Sequence, residues 1–369
     1  MKANLREGFT TGACAAASAK AAVFMLYNQK IINNVEITFP GGQTIGFKVN
    51  SPLVSSRECS CYIIKDAGDD PDITNGVQVW ARAYWDDNIE EISVIGGEGI
   101  GLVTKPGLPV DVGQPAINPI PRQMIYSELD KILPRQKDGL VIEISIPNGA
   151  ELAKKTLNPH LGIIGGLSIL GTTGIVKPMS EEAYKDSLVP QLKVAYSSGN
   201  KNIVLTPGNI GYKCAVKYGI PEDAICHTSN FIGFMLEKAV DIGFKRIILW
   251  GHPGKLLKIA CGNFQTHNRI SDGRMETLAA YLATLQAPVH LINEVLDSVT
   301  TENAIKLVEE NNYQQVWKII AGKISARAER YIFNQAKVGT VLLKDRESIL
   351  TIDKNAEILG EELLWPLLP

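Results

Sequence analysis

What most narrows the folds open to this chain is a change of rhythm after about Gly162. From there the short apolar runs "GLSIL", "KNIVLTPG", "DAICHTS" and "RIILWGH" alternate with helical stretches such as "EEAYKDSLVPQLKVAY", "NFIGFMLEKAVDIG" and "ETLAAYLATLQ". Strand-like runs rich in β-branched residues, alternating with helices, are the pattern of a mostly parallel sheet with covering helices. "AIKLVEENN", "QVWKIIAGKISARAERYI" and "GTVLLKD" continue it with more helix and a last apolar segment. Residues 156–369 are therefore expected to form a Rossmann-like α/β domain with a mostly parallel sheet.

The earlier half lacks that alternation. "GFTTGACAAASAKAAVFML" reads as a loop followed by an Ala-rich helix that Thr10 and Thr11 can cap. "VEITFPGGQTIGFKV" reads as a hairpin around Pro40, Gly41 and Gly42. "ECSCYIIKDAG", "GVQVWARAYW" and "LVIEISIP" give strands, and "PRQMIYSELDKIL" a helix. Strands outnumber helices here, which predicts an α+β domain over residues 1–155.

A length of 369 residues suits two such domains, and a formal net charge of -2 gives no global attraction for nucleic acid or an anionic membrane. Basic residues that bind an anion must then be gathered locally. The six cysteines include no C-x-x-C pair, which predicts reduced thiols used as small apolar residues. No signal peptide and no run of membrane-spanning length is evident, so a cytoplasmic protein is expected.

Several stretches imitate nucleotide or metal sites. "SVIGGEGIG" is followed by prolines at 106, 109, 115, 119 and 121, which exclude the helix that a dinucleotide fingerprint needs. What is left is a loop with Gly97, Gly99, Thr104 and Lys105. "GHPGKLLK" has its glycines too close together for a phosphate loop, yet it follows a strand and opens a helix, which suits an anion or a backbone contact. "DAGDDPDITNG" has Asn75 and Ala81 where a calcium loop needs glycine and glutamate. It is either a structural turn or a place where Asp69 and Asp70 face a cleft.

By context the best nucleotide site is "GLSILGTTGIVKPMSEEAY". A strand-like Leu167 to Leu170 leads into Gly171, Thr172, Thr173 and Gly174, with Ser180 capping a helix behind them. Glu181 and Glu182 in the first turn of that helix argue against a strongly anionic cofactor. "NFQTHNRISDGRME" gathers His267, Arg269 and Arg274 into a face suited to carboxylates.

Taken together, "GFTTGACAAASAKAA", "KDAGDDPDITNG", "GGEGIGLVTKPGLPVDVGQPAINPIPRQMI", "KKTLNPHLGIIGGLSILGTTGIVKPMSEEA", "PGNIG", "SNFIGFMLEKA" and "GHPGKLLKIACGNFQTHNRISDGRME" resemble the CbiD family, the cobalt-precorrin-5B C1-methyltransferases of anaerobic cobalamin biosynthesis. The resemblance implies transfer of a methyl group from S-adenosylmethionine to C1 of a cobalt-bearing tetrapyrrole, giving cobalt-precorrin-6A. The cobalt belongs to the substrate, and no protein metal site is implied. A polycarboxylate macrocycle calls for clustered cations. Thr10, Thr11, Gly97, Gly99, Thr104, Lys105, Arg122, Lys255, Arg269 and Arg274 are the expected substrate contacts, with Lys177 and Lys258 beside them. Residues 1–155 would then hold the tetrapyrrole and residues 156–369 the donor.

Fold logic together with the implied activity assigns the donor to Gly171, Thr172, Thr173 and Gly174, to Pro207, Gly208 and Asn209, and to Ser229 and Asn230. Asp69, Asp70 and His267 are the candidate bases. The partner is a small molecule rather than nucleic acid or membrane, and self-association is left open. A non-catalytic carrier of a corrinoid intermediate is the rival reading. An NAD(P)-dependent reductase is a weaker one, given the missing dinucleotide fingerprint.

Overall fold

The computed structural model describes residues 5–133, 139–363 and 365, and the chain divides into two compact units, Met1–Glu181 and Glu182–Pro369. In both, helices cover mixed sheets. No helix among the described residues is long and apolar enough to cross a membrane.

The first unit contains β1 (Gly8–Phe9), α1 (Thr11–Asn28), β2 (Asn34–Thr38), β3 (Thr44–Lys48), β4 (Asn50–Val54), β5 (Glu58–Ile64) and β6 (Gln78–Trp85). It continues with β7 (Ser93–Gly96), β8 (Leu102–Val103), α2 (Pro119–Leu129), β9 (Leu140–Ser145), α3 (Gly149–Ala153), β10 (Ile163–Ile164) and β11 (Ile175–Val176). The main sheet has the order β4-β5-β6-β9-β7, antiparallel except for β7, which runs parallel to β9. β2 and β3 form the expected hairpin, with Thr38 opposite Thr44.

Helix α1 packs on β5, β6 and α2 and is buried on almost every side. Its alanines permit that close approach, and the strands answer with small inward residues, Cys59 and Cys61 opposite Ala83 and Ala81. Cys61 Sγ reaches the Ser18 carbonyl at 3.5 Å. Lys20, the charged residue of the helix, is neutralised by buried Glu128 at 2.7 Å. The cysteines behave as the composition predicts: Cys14, Cys59, Cys61, Cys214 and Cys226 are buried free thiols, and Cys261 is an exposed one.

The second unit contains α4 (Glu181–Ser197), β12 (Asn202–Thr206), α5 (Asn209–Lys217), β13 (Ile225–His227), α6 (Ile232–Ile242), β14 (Arg246–Gly251), α7 (Pro253–Ala260) and α8 (Arg274–Thr284). After these come α9 (Val289–Leu296), α10 (Thr301–Glu310), α11 (Gln315–Tyr331), β15 (Lys337–Leu343), β16 (Ile349–Ile352) and α12 (Lys354–Leu363). The sheet order is β13-β12-β14-β15-β16; the first four strands are parallel and β16 is an antiparallel edge. Strands β12, β14 and β15 are buried almost end to end, which is why they read in the sequence as continuous apolar runs.

Two expectations need correcting. Leu167 to Leu170 is not a strand of the parallel sheet: its pairings are isolated bridges of Leu167 with Ile100 and Ile169 with Ile117. The segment 156–181 packs with the first unit, so Gly171 to Gly174 lies there rather than beside β12. A buried apolar run of four residues looks the same in sequence whether it pairs along its length or only at single residues.

Candidate active site

At the carboxyl end of β12 the chain passes through Thr206, Pro207 and Gly208 and turns into α5. At the carboxyl end of β14 it passes through Gly251 and His252 and turns into α7. These two strands are neighbours, while β13, which comes between them in sequence, lies on the far side of β12. The winding therefore reverses between β12 and β14, and their following loops part to leave a crevice, the usual ligand position in an open parallel sheet.

The crevice has a volume of about 240 Å³ and is lined by Thr206, Pro207, Asn209, His252, Gly254 and Lys255 among others. That is below the ~300 Å³ usual for a whole small-molecule pocket, so it suits one end of a ligand. Both helices present their N-termini here without an acidic residue in the first turn. Their unpaired amides and dipoles favour a negative group. Thr206 donates from its hydroxyl to the Gly208 carbonyl at 3.2 Å, fixing the turn. At Gly211 a Cβ would lie 2.0 Å from Thr206 Oγ1, so α5 is seated tightly on the strand end.

His252 caps α7, its Nδ1 accepting from the Gly254 amide at 3.1 Å. Burial pushes this imidazole below the usual histidine range, so it is neutral at pH 7 with its proton on Nε2. The Lys255 amine donates to the Pro207 carbonyl at 3.4 Å and is half-buried. Burial, and secondarily Lys258, push it below the usual lysine range. Ser229 adopts φ 52 in the loop after β13, and Asn230 accepts from the Thr266 amide at 2.9 Å. Pro207, Gly208 and Asn209, expected at the donor, thus meet Lys255, which the sequence set among the substrate contacts. His252 and Gly211 belong with them, and their signal in the sequence is position just beyond a parallel strand.

Lys258 and Arg274 are committed to structure, whereas Arg269 and His267 are exposed. The Lys258 amine is buried and donates to the Thr266 carbonyl at 3.1 Å and Asn268 Oδ1 at 2.7 Å. Arg274 is chelated by Asp272 at 2.9 and 3.0 Å. Arg269 is exposed, with no ion pair among the described residues. His267 is exposed, and its Nδ1 accepts from the Arg269 amide at 3.2 Å. In the neutral ring that leaves Nε2 as a donor, a poor arrangement for a base.

In the first unit, Thr10 caps α1 through the Ala13 amide at 3.1 Å. The Thr11 hydroxyl accepts from Leu170 N at 2.9 Å and faces the Ser168 and Leu170 carbonyls, so Gly171 to Gly174 wraps the start of α1. Gly99 has φ 72 and would place a Cβ 1.9 Å from the Ile146 carbonyl, and at Gly97 a Cβ would meet Glu143 and Ser145 at 2.4 Å. The glycines of "GGEGIG" are thus accounted for by packing within the unit, where the sequence suggested an approaching ligand. Thr104 donates to the Gly162 carbonyl at 2.6 Å, and half-buried Lys105 lies against Gly162.

Arg122 donates to the Val94 carbonyl at 3.0 Å and, with Tyr126 and Gln114, lines a cleft of about 350 Å³. The aspartate-rich turn is tied down: Asp66 pairs with Arg6, Asp69 accepts from the Arg6 amide at 2.7 Å, and Asp70 accepts from the Met179 amide at 2.9 Å. Asp72 pairs with buried Lys65 at 2.6 Å. Asp69 and Asp70 each keep one carboxylate oxygen clear of these bonds.

Comparison with known proteins fits this chain to one family. Residues 1–178 match the family profile described as CbiD, and residues 265–354 the one described as CbiD, C-terminal domain. A Moorella thermoacetica protein named cobalt-precorrin-5B C(1)-methyltransferase is 46% identical over 98% of this chain and 99% of its own length. A Citrobacter koseri protein of the same name is 45% identical over 97% of this chain and 95% of its own. Among solved structures, a cobalamin biosynthesis protein (cbiD) from Archaeoglobus fulgidus is 28% identical, with 72% of this chain and 83% of that one covered and a TM-score of 0.40.

Proposed function

The chain belongs to the CbiD family and is a C-methyltransferase of cobalamin biosynthesis, and we propose that it carries a methyl group from S-adenosylmethionine to C1 of cobalt-precorrin-5B, with the donor held in the second unit. The observation that carries the donor assignment is the crevice at the ends of β12 and β14. It combines two helix N-termini with Lys255, and among the described residues no carboxylate lines it, which suits the carboxylate end of an amino-acid-like donor. The four parallel strands follow the 2-1-3-4 order of the flavodoxin-like doubly wound folds, with the fifth strand antiparallel, which supports a Rossmann-like reading. Pro207 and Ile210 give the crevice an apolar side, and Asn209 offers an amide to a ribose hydroxyl.

S-adenosylmethionine supplies an already electrophilic sulfonium methyl, so the protein's task is chiefly alignment. Lys255 and the amides of α5 and α7 orient the donor's carboxylate. Lys105 and Arg122 of the first unit are the cations we assign to some of the tetrapyrrole's carboxylates. Among Asp69, Asp70 and His267, the free oxygen of half-buried Asp70 is best suited to accept the ring proton released as charge redistributes.

Anaerobic incubation with cobalt-precorrin-5B and S-adenosylmethionine tests the reading: the corrinoid gains the mass of one methyl, and S-adenosylhomocysteine appears in equal amount. A carrier would bind the corrinoid and yield neither. Asp70→Asn keeps an acceptor for Met179, so it slows kcat and leaves corrinoid binding intact; equal loss of both would remove Asp70 as the base.

A further inference from the structure

Helix α11 carries Lys323, Arg327 and Arg330 at i, i+4 and i+7, a spacing that sets all three on one face. With Gly262, Phe264 and Tyr331 they line a cleft of about 590 Å³ in the second unit. Like charges so placed repel one another unless an anion joins them. Lys318, on the same helix, pairs with Glu357 at 2.9 Å. No carboxylate among the described residues makes an ion pair with Lys323, Arg327 or Arg330.

The cleft is built rather than merely solvated. Gly262 adopts φ 98, and a Cβ there would lie 2.9 Å from a terminal nitrogen of Arg327, so the guanidinium fills the space beside the glycine. Arg327 Nε is buried without an acceptor among the described residues. The rings of Phe264 and Tyr331 stack with centroids 3.9 Å apart at 24°. The wall is tied to the loops at the carboxyl end of the sheet: Gly233 in the first turn of α6 donates to the Phe264 carbonyl at 3.2 Å, and Thr266 donates to the Asn230 carbonyl at 2.9 Å.

Building on the methyltransferase reading, we propose that this cleft holds carboxylate side chains of the tetrapyrrole substrate, with Lys323, Arg327 and Arg330 as their partners. From Lys323 to Arg330 is about 10 Å along the helix. Three cations spread along that length can each meet a different carboxylate of one ring. The aromatic pair gives such a ring an apolar surface beside the charges.

The test uses the full chain and, as probe, cobyrinic acid, a cobalt corrinoid with free carboxylates, beside its fully esterified form. Lys323 and Arg330 are exposed, so the double variant Lys323→Gln/Arg330→Gln keeps the fold. By calorimetry it binds cobyrinic acid at least about tenfold more weakly than the unaltered chain. The ester binds both proteins equally, S-adenosylhomocysteine binding is unchanged, and KM for cobalt-precorrin-5B rises while kcat stays within about twofold. Arg327→Lys, which keeps the charge, retains most of the affinity.

Unchanged cobyrinic acid affinity and KM in the double variant overturn the proposal, and so does an equal loss of S-adenosylhomocysteine binding. If the unaltered chain forms no methylated product, the methyltransferase reading fails instead, and the calorimetry still reports on the cleft.

Discussion

Lys255 Nζ donates to the Pro207 carbonyl oxygen across 3.4 Å, joining the first turn of α7 to the loop after β12. A weak, long hydrogen bond is a small return for a half-buried ammonium. Its position between two helix N-termini makes sense when the charge also meets an anion.

Lys255→Met removes that charge and keeps the length of the side chain. S-adenosylhomocysteine binding is expected to weaken about tenfold, the order of one charged hydrogen bond. Thermal stability holds or rises, because a desolvated charge is removed. Burial sets the folded lysine below its ordinary range. Affinity in the unaltered protein should therefore fall as pH rises through that lowered value, before an exposed lysine would titrate. The variant shows no such fall. Calorimetry across pH reads both effects.

Two glycines only three residues apart should respond in opposite ways. At Gly208 the backbone is extended and an added Cβ meets nothing within 4 Å, so Gly208→Ala should change stability by less than about 0.5 kcal/mol. The new methyl stands at the crevice, however, and donor binding weakens. At Gly211 the added Cβ collides with Thr206 and the Trp250 carbonyl, so Gly211→Ala destabilises by about 1–3 kcal/mol. Denaturant unfolding beside ligand titration separates the two.

His252 gives the second unit an acid sensitivity of known sign. Its folded value lies below the unfolded value of 6.5, so the unfolded chain takes up the proton first. The stability it contributes is complete above 6.5 and is lost as pH falls through the folded value. Glu302, 3.7 Å from Nε2, moderates the shift without reversing it. His252→Asn caps α7 without titrating, so its stability should vary less between about pH 7 and 5. Melting temperatures measured across that interval check it.

Gly99→Ala tests what the glycine-rich loop is for. With φ 72 and the Ile146 carbonyl 1.9 Å from the added Cβ, the substitution should cost about 3 kcal/mol or more and lower the melting temperature. A loop kept open solely for a substrate would lose binding and keep its stability.

The legibility of the sequence followed burial. β12, β13 and β14 were plain because strands covered on both faces read as apolar runs, and α1 because an Ala-rich stretch has few alternatives. Leu167 to Leu170 misled because four apolar residues do not distinguish a paired strand from a buried loop. "GGEGIG" signalled close approach, but a glycine does not say what approaches. The crevice was half legible: Pro207 to Asn209 followed from a strand-helix junction, whereas its meeting with His252 depends on strand order. The α11 cations were invisible, since nothing in their own stretch indicates that Gly262 and Phe264 fold against them.

A crystal structure of the complex with S-adenosylhomocysteine measures the central assignment most directly. The expected result is the ligand's carboxylate between the starts of α5 and α7, beside Gly208, Gly254 and Lys255. Density for the ligand at Gly171 to Gly174, with the crevice between β12 and β14 filled only by solvent, would contradict it.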